Sequence, residues 1–340
     1  MLRAVPLTEF MAASTVKQFR SGILILAISS TCFSVTARKS LLVDRSQRKL
    51  LCLDCRSLSM TPKLRCPNCG TEVRAHERDC QSCDSFCGYP NVRKAEEAEE
   101  LRELEGRYQG ARAAALGRDR GPVFLAYEAA LVDSVAVVCR SLDYVKALLS
   151  SEDAVYISFY KQRSSGGRRA EDTPIETQRE ATDVRVFPSY NHEIGFAALS
   201  LDGKGVLSYG RCSLVLKSIA IARRATAFWE NAVDFCNRVC PEQTKPIPAG
   251  YRATWPMRAK LAAAKAEPRL DRQTTHEEFS RILLDGDLFV EVHIYGPLTR
   301  NSFDRLLIPK PVGKADRVMV SGIKDVIRKD GLGIRVEEYS

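Results

Sequence analysis

Four cysteines carry the clearest chemistry in the chain. Cys66 and Cys69 form one Cys-x-x-Cys pair, Cys80 and Cys83 form a second, and ten residues separate the pairs. Each pair turns two thiolates toward one point, and four thiolates complete the tetrahedron that zinc prefers. Gly70, directly after Cys69, allows the backbone to fold under the metal. A closed four-thiolate set leaves no open coordination position, so the expected role is structural zinc with these four ligands. A module this small has almost no core, so metal binding must supply most of its folding energy. Cys52 and Cys55 with Cys66 and Cys69 are a formal alternative, because ten residues also separate Cys55 from Cys66. His76 and Cys87 are candidate substitutes, expected instead as a loop residue and a residue packed beneath the ribbon.

The second chemical constellation is Phe289-Val-Glu-Val-His-Ile-Tyr-Gly296. Strand alternation places Glu291, His293 and Tyr295 on one face and Val290, Val292 and Ile294 on the other. The plain expectation for such a strand is one core face and one solvated polar face.

Two resemblances bear on these residues. The Cys66-Pro-Asn-Cys69-Gly70 knuckle is similar to the zinc ribbons common in bacterial proteins. The stretch from Val138-Cys-Arg-Ser through Pro248-Ala-Gly-Tyr-Arg-Ala-Thr-Trp to Glu291-Val-His-Ile-Tyr-Gly resembles an uncharacterised family of bacterial zinc-ribbon proteins, which implies no activity. The glutamate-bearing strand, its glycine and the following apolar Leu306-Leu-Ile resemble the C-terminal core of ADP-ribosyltransferases, nearest to the bacterial toxins that modify nucleic-acid bases. That likeness implies NAD as cosubstrate, with Glu291 stabilising an oxocarbenium transition state and Arg140 gripping the dinucleotide. Tyr209 or Tyr190 would be the ring stacked on nicotinamide, with His293 a further cofactor contact. The acceptor would be nucleic acid or protein. No His-Gly-Thr or Ser-Thr-Ser segment accompanies the glutamate, and Ala198-Leu-Ser-Leu is a poor stand-in.

The elements needed to position these groups follow from hydrophobic pattern. Strands are expected at 134–139, 155–160, 194–201, 212–217, 289–295 and 303–308. Helices are expected at 142–149, 228–236, 257–266 and 277–284, and a mobile polar loop at 163–182. The irregular order predicts an α+β fold: an N-terminal zinc ribbon (60–90), a helical spacer (91–119), and a mixed domain with a mainly antiparallel sheet (120–340). In the spacer, Leu101, Leu104, Tyr108, Ala111 and Ala115 form one helical face. Docking on the main domain is the expected use of that face; a short coiled-coil dimer through 93–116 is the alternative.

Residues 1–59 carry a basic start and a short apolar run resembling a signal peptide. Because Met60 opens a natural zinc-ribbon start, the segment is read as an artefact of an upstream start codon, ahead of a leader or disordered tail. The run is too short for a confident membrane span. This segment contributes +6 of the net charge of +9, so the body is nearly balanced at +3. Basic and aromatic residues in 244–269 (Lys245, Tyr251, Arg252, Trp255, Arg258, Lys260, Lys265, Arg269) suit nucleic-acid contact, although such helices are usually just solvated. Clustered cysteines point to a reducing, cytoplasmic setting. The glycine and histidine motifs of dehydrogenases, P-loop NTPases, zincins and serine hydrolases are missing. Two functions therefore stand side by side: an ADP-ribosyltransferase-like enzyme, or a non-enzymatic protein binding nucleic acid or a protein partner.

Overall fold

The computed structural model describes residues 63–164, 174–242 and 245–339. Residues 1–59, with Cys52 and Cys55 and the readings that fall there, lie outside the described residues. The cysteine segment comes first and has no regular element beyond two isolated bridges, Arg65 to Glu72 and Asp79 to Phe86. The order that follows is α1 (Pro90–Ala95), α2 (Ala98–Gly117), α3 (Gly121–Leu131), β1 (Val135–Arg140), α4 (Leu142–Ser150), β2 (Val155–Tyr156), α5 (Phe159–Ser164) and α6 (Pro174–Val186). Then come β3 (Ile194–Ser200), β4 (Cys212–Leu216), α7 (Ser218–Ile221), β5 (Ala225–Phe228), α8 (Ala232–Val239), β6 (Arg252–Thr254) and α9 (Arg258–Ala266). The chain ends with α10 (Phe279–Leu283), β7 (Glu291–Tyr295), β8 (Leu298–Thr299), β9 (Phe303–Pro309), α11 (Lys314–Lys329) and β10 (Arg335–Tyr339).

The fold is mixed α/β around a large, mainly antiparallel sheet of order β10-β9-β4-β1-β3-β7-β5-β6. The pairing of β10 with β9 is parallel. The remaining pairs in the sheet are antiparallel. The central strands β1, β3, β4 and β7 are buried on both faces, which explains their near-continuous apolar runs.

Several local expectations change. Residues 155–160 are not one strand: only Val155 and Tyr156 pair, with β8, and the chain then turns into α5. Part of the expected loop is α6, and Val186 and Phe187 at its end are buried. The segment 228–236 divides at Glu230, with Phe228 closing β5 and Asn231 capping α8 through a bond from Val233 N–H to its Oδ1 (3.0 Å).

Helix α2 packs on α9 and β6 with Leu104, Tyr108 and Ala115 buried. Most of its apolar face is therefore used within the chain, as docking on the main domain requires. Glu100, also on α2, is 2 % exposed and pairs with buried Arg252 at 3.0 Å. Its second oxygen accepts from Gly250 N–H at 2.7 Å, so every charge on that buried carboxylate is met.

Candidate functional site

The four cysteines converge. Their sulfurs all lie within 4.8 Å of one another, with Cys66–Cys83 and Cys69–Cys80 at 3.6 Å and Cys69–Cys83 at 3.4 Å. A tetrahedral ion with bonds of about 2.3 Å spaces its sulfurs about 3.8 Å apart, close to this geometry. The two knuckles are built alike. Gly70 N–H bonds Cys66 O at 3.0 Å, and Asp84 N–H bonds Cys80 O at 2.9 Å. Asn68 N–H points at Cys66 Sγ and Ser82 N–H at Cys80 Sγ, each at 3.4 Å. Both turns pass through a left-handed residue, Gly70 (φ 73°) and Asp84 (φ 54°). Donor type, number and spacing therefore fit one thiophilic ion such as zinc. Cys87 stands outside the tetrad, its thiol donating to Ser85 O (3.3 Å). His76 is not among the clustered donors.

Arg93 ties this module to the body. Its guanidinium donates to the carbonyls of Cys87 (2.8 Å), Ala75 (2.9 Å) and Glu77 (2.7 Å), and to that of Gly88. Tyr89 then packs at a tilt against Tyr295 at the end of β7, with ring centres 5.4 Å apart.

Glu291 opens β7, between Ala198 of β3 and Phe228 of β5. The strand's second face is not solvated: Glu291 is 3 % exposed and His293 1 %. The Glu291 Oε2 accepts from Ala232 N–H at 3.2 Å, at the N-terminus of α8, and faces His293 Nε2 at 3.0 Å. A helix N-terminus favours a carboxylate through its unpaired N–H groups. Burial among Phe187, Phe196 and Phe228 pushes the His293 pKa down, against the pull of the neighbouring Glu291. Both bonds land on one oxygen, so Oε1 takes part in neither.

Glu291 lines a cavity of about 360 Å³ together with Arg140, Tyr144, Tyr156, Arg179 and Tyr209. Arg140 closes β1. It donates to its neighbour Cys139 O (2.7 Å) and to the Tyr156 hydroxyl, with its guanidinium over the rings of Tyr156 (4.8 Å) and Tyr144 (5.7 Å). With both rings beside it, the cation is held in place at the wall. Tyr209, 49 % exposed, stands on a short turn that ends at Gly210. Gly210 has φ 145°, and a Cβ there would fall 2.2 Å from the carbonyl carbon of Arg140. The turn can thus lie directly against the Arg140 backbone only with glycine at this position.

The structure brings together Glu291, Arg140 and Tyr209 from the sequence-selected residues. Tyr190 lies elsewhere, buried against Phe187 and Tyr295, and His293 stands behind Glu291 rather than on the wall. Sequence reading passed over Arg179, Asp183 and Tyr160, all from the segments around the expected loop. The Tyr160 hydroxyl donates to Asp183 Oδ2 at 2.8 Å, and burial pushes the Asp183 carboxyl up to about 7. Arg179 and Asp183 stand four residues apart on α6, a helical spacing that was available in the sequence.

The basic segment is largely spent internally. Arg252 pairs with Glu100, Lys260 with Glu105 (2.8 Å) and Arg269 with Asp285 (2.9 Å). Arg258 stacks on Trp255 and donates to Ser134 O, and Lys265 donates to Leu288 O. Lys245 is exposed and pairs with Glu242 (2.7 Å).

No protein-family model and no curated protein matches the chain. Among the described residues, no helix is long and apolar enough to cross a membrane.

Proposed function

We propose that this protein is a zinc-ribbon protein whose α/β body binds NAD and transfers ADP-ribose to a nucleic-acid or protein acceptor. The observation that carries the reading is the shared cavity: a buried carboxylate, a tyrosine-held arginine and an accessible tyrosine ring line one space of about 360 Å³. That volume lies within the range of small-molecule sites, roughly 300–1,000 Å³. It suits a nicotinamide ribose, with the rest of the dinucleotide reaching toward the open rim.

In this reading Arg140 holds the pyrophosphate by charge-assisted hydrogen bonds, and Tyr209 covers the nicotinamide ring. Glu291, anchored through Oε2, presents Oε1 to the ribose where positive charge develops. The bond between nicotinamide nitrogen and ribose C1′ breaks, and its electron pair leaves with neutral nicotinamide. C1′ bonds to the acceptor nucleophile, whose proton passes to solvent. The four cysteines would hold zinc as a structural ion. A thiolate site of this kind suits a reducing compartment such as the cytoplasm.

The test is nicotinamide release from NAD by the full chain, with and without added RNA, DNA or protein acceptors. Release above the rate without protein supports the reading. Neither release nor NAD binding under any of these conditions would reject it and leave the non-enzymatic binding protein as the better account.

A further inference from the structure

The short helix α1 joins the cysteine module to the sheet through two side chains that point opposite ways. Arg93 grips the module. Its guanidinium donates to the carbonyls of Ala75 and Glu77 on one side and of Cys87 and Gly88 on the other. These stretches are the two ends of the loop that carries Cys80 and Cys83, and they also meet through Cys87 N–H to Arg78 O (2.8 Å). One planar group with five donors therefore closes the base of the second knuckle.

Asn91 grips the sheet. It is 3 % exposed, and its Nδ2 donates to Arg224 O (3.0 Å), His293 O (3.3 Å) and Thr226 Oγ1 (3.5 Å). Thr226 and His293 are register partners on β5 and β7, so the amide sits at the seam between those strands. Carbonyl oxygens only accept, which fixes the side chain with its nitrogen toward them. Its Oδ1 is buried without a partner, a cost that the bonds at Nδ2 offset. Tyr89, at the head of α1, adds a third link: its ring contacts Phe86 of the module (centres 5.1 Å apart) and Tyr295 of β7 (5.4 Å).

With an ion on the four cysteines, the loop that Arg93 holds is fixed, and six residues of helix pass that constraint to the strand that Asn91 holds. We infer that α1 is a relay coupling metal binding at the four cysteines to the order of β7, the strand on which Glu291 stands. Such coupling is reciprocal: whatever the metal adds to the hold on β7, β7 adds to the hold on the metal. The inference rests on metal binding by the four cysteines and is independent of the transferase reading.

The experiment uses the full chain loaded with zinc. Zinc transfer to a coloured chelator is timed for wild type, Arg93→Gln and Asn91→Ala. Arg93→Gln is expected to release zinc about 10- to 100-fold faster, the usual effect of removing a group that orients metal ligands. Asn91→Ala is the discriminating variant, because every side-chain hydrogen bond of Asn91 goes to the sheet. It is expected to release zinc at least about fivefold faster, the lower end of coupling between linked sites. Amide exchange of the wild type gives a reading that does not depend on a variant folding. The N–H groups of Tyr295 and Gly296 bond Arg224 O (3.0 Å) and Glu193 O (2.7 Å) at the end of β7. Stripping zinc should speed exchange there about fivefold or more, and leave β1 and β4, beyond β3 in the sheet, unchanged. Release from either folded variant at the wild-type rate, or exchange at Tyr295 and Gly296 indifferent to zinc, would overturn the inference and leave the metal site standing. A wild-type chain that holds no zinc would overturn both. Faster release and faster exchange in a chain that frees no nicotinamide from NAD would uphold the inference and count against the transferase reading alone.

Discussion

The cysteine module and the cavity solve opposite problems. The module gathers its four sulfurs from eighteen consecutive residues, and local turns alone bring them within 4.8 Å. The cavity gathers its wall from β1, α4, the chain around α5, α6, β3, the turn before β4, and the start of β7. One site is built by backbone hydrogen bonds around a point shared by four donors. The other exists only once a sheet with the order β1-β3-β7 has formed. A local site of this kind would draw its stability from a bound ion, whereas a non-local site inherits stability from the core around it.

Breaking the module should produce the largest effect. Cys80→Ser is expected to lower the bound metal from about one equivalent to none and to open the 64–88 segment to protease. Metal binding supplies about 10–16 kcal/mol in comparable isolated modules. Metal analysis and limited proteolysis read this directly. A cooperative unfolding transition should persist for the body. Loss of that transition as well would mean that the Arg93 clamp makes the two regions a single unit.

Glu100→Ala probes the body in the same way. It leaves Arg252 buried beside an empty position, and the expected cost is about 3–5 kcal/mol in denaturant unfolding, with metal content unchanged. A cost below about 1 kcal/mol would show that water or a rearranged neighbour compensates Arg252.

The smallest and most specific effect concerns Asp183. Its folded pKa is raised, to about 7, from an ordinary value of 3.8. Between those values the folded state binds the extra proton, so this group's stability contribution is present below about 4 and is lost as pH rises through 7. The slope is at most about 1.4 kcal/mol per pH unit. His293 acts in the opposite sense, since its folded pKa is lowered and acid below about 6.5 favours the unfolded state. Asp183→Asn should therefore gain stability relative to wild type on going from pH 5 to pH 8, measured by unfolding at both values. An equal difference at the two pH values would show that Asp183 is ionised in the folded protein throughout.

The same contrast explains what could be read from sequence. The knuckles were legible because metal chemistry dictates residue type and spacing together. Glu291 was legible as one face of an alternating strand, but its burial was not, because α8 and the Phe187–Phe228 layer that cover it come from distant sequence. Strands β5 and β6 were missed because they are four and three residues long and merge into helical composition on either side. β10 reads as polar, Arg335-Val-Glu-Glu-Tyr, because it is an edge strand with both faces partly open. The basic run at 244–269 looked like a surface for polyanions. Arg252, Lys260 and Arg269 instead meet carboxylates whose positions only the fold reveals.

The most direct test of the central claim is nicotinamide release by Glu291→Gln beside wild type, with NAD affinity and metal content measured in both. The substitution keeps shape and the Oε2 anchoring position while removing the charge that would face the ribose. The variant is expected to keep its metal, to bind NAD within about threefold, and to lose at least about 100-fold in release, the scale of one lost electrostatic contact in a transition state. Wild-type release that survives unchanged in the variant would contradict the role given to Glu291 and move the chemistry, if any, away from this cavity.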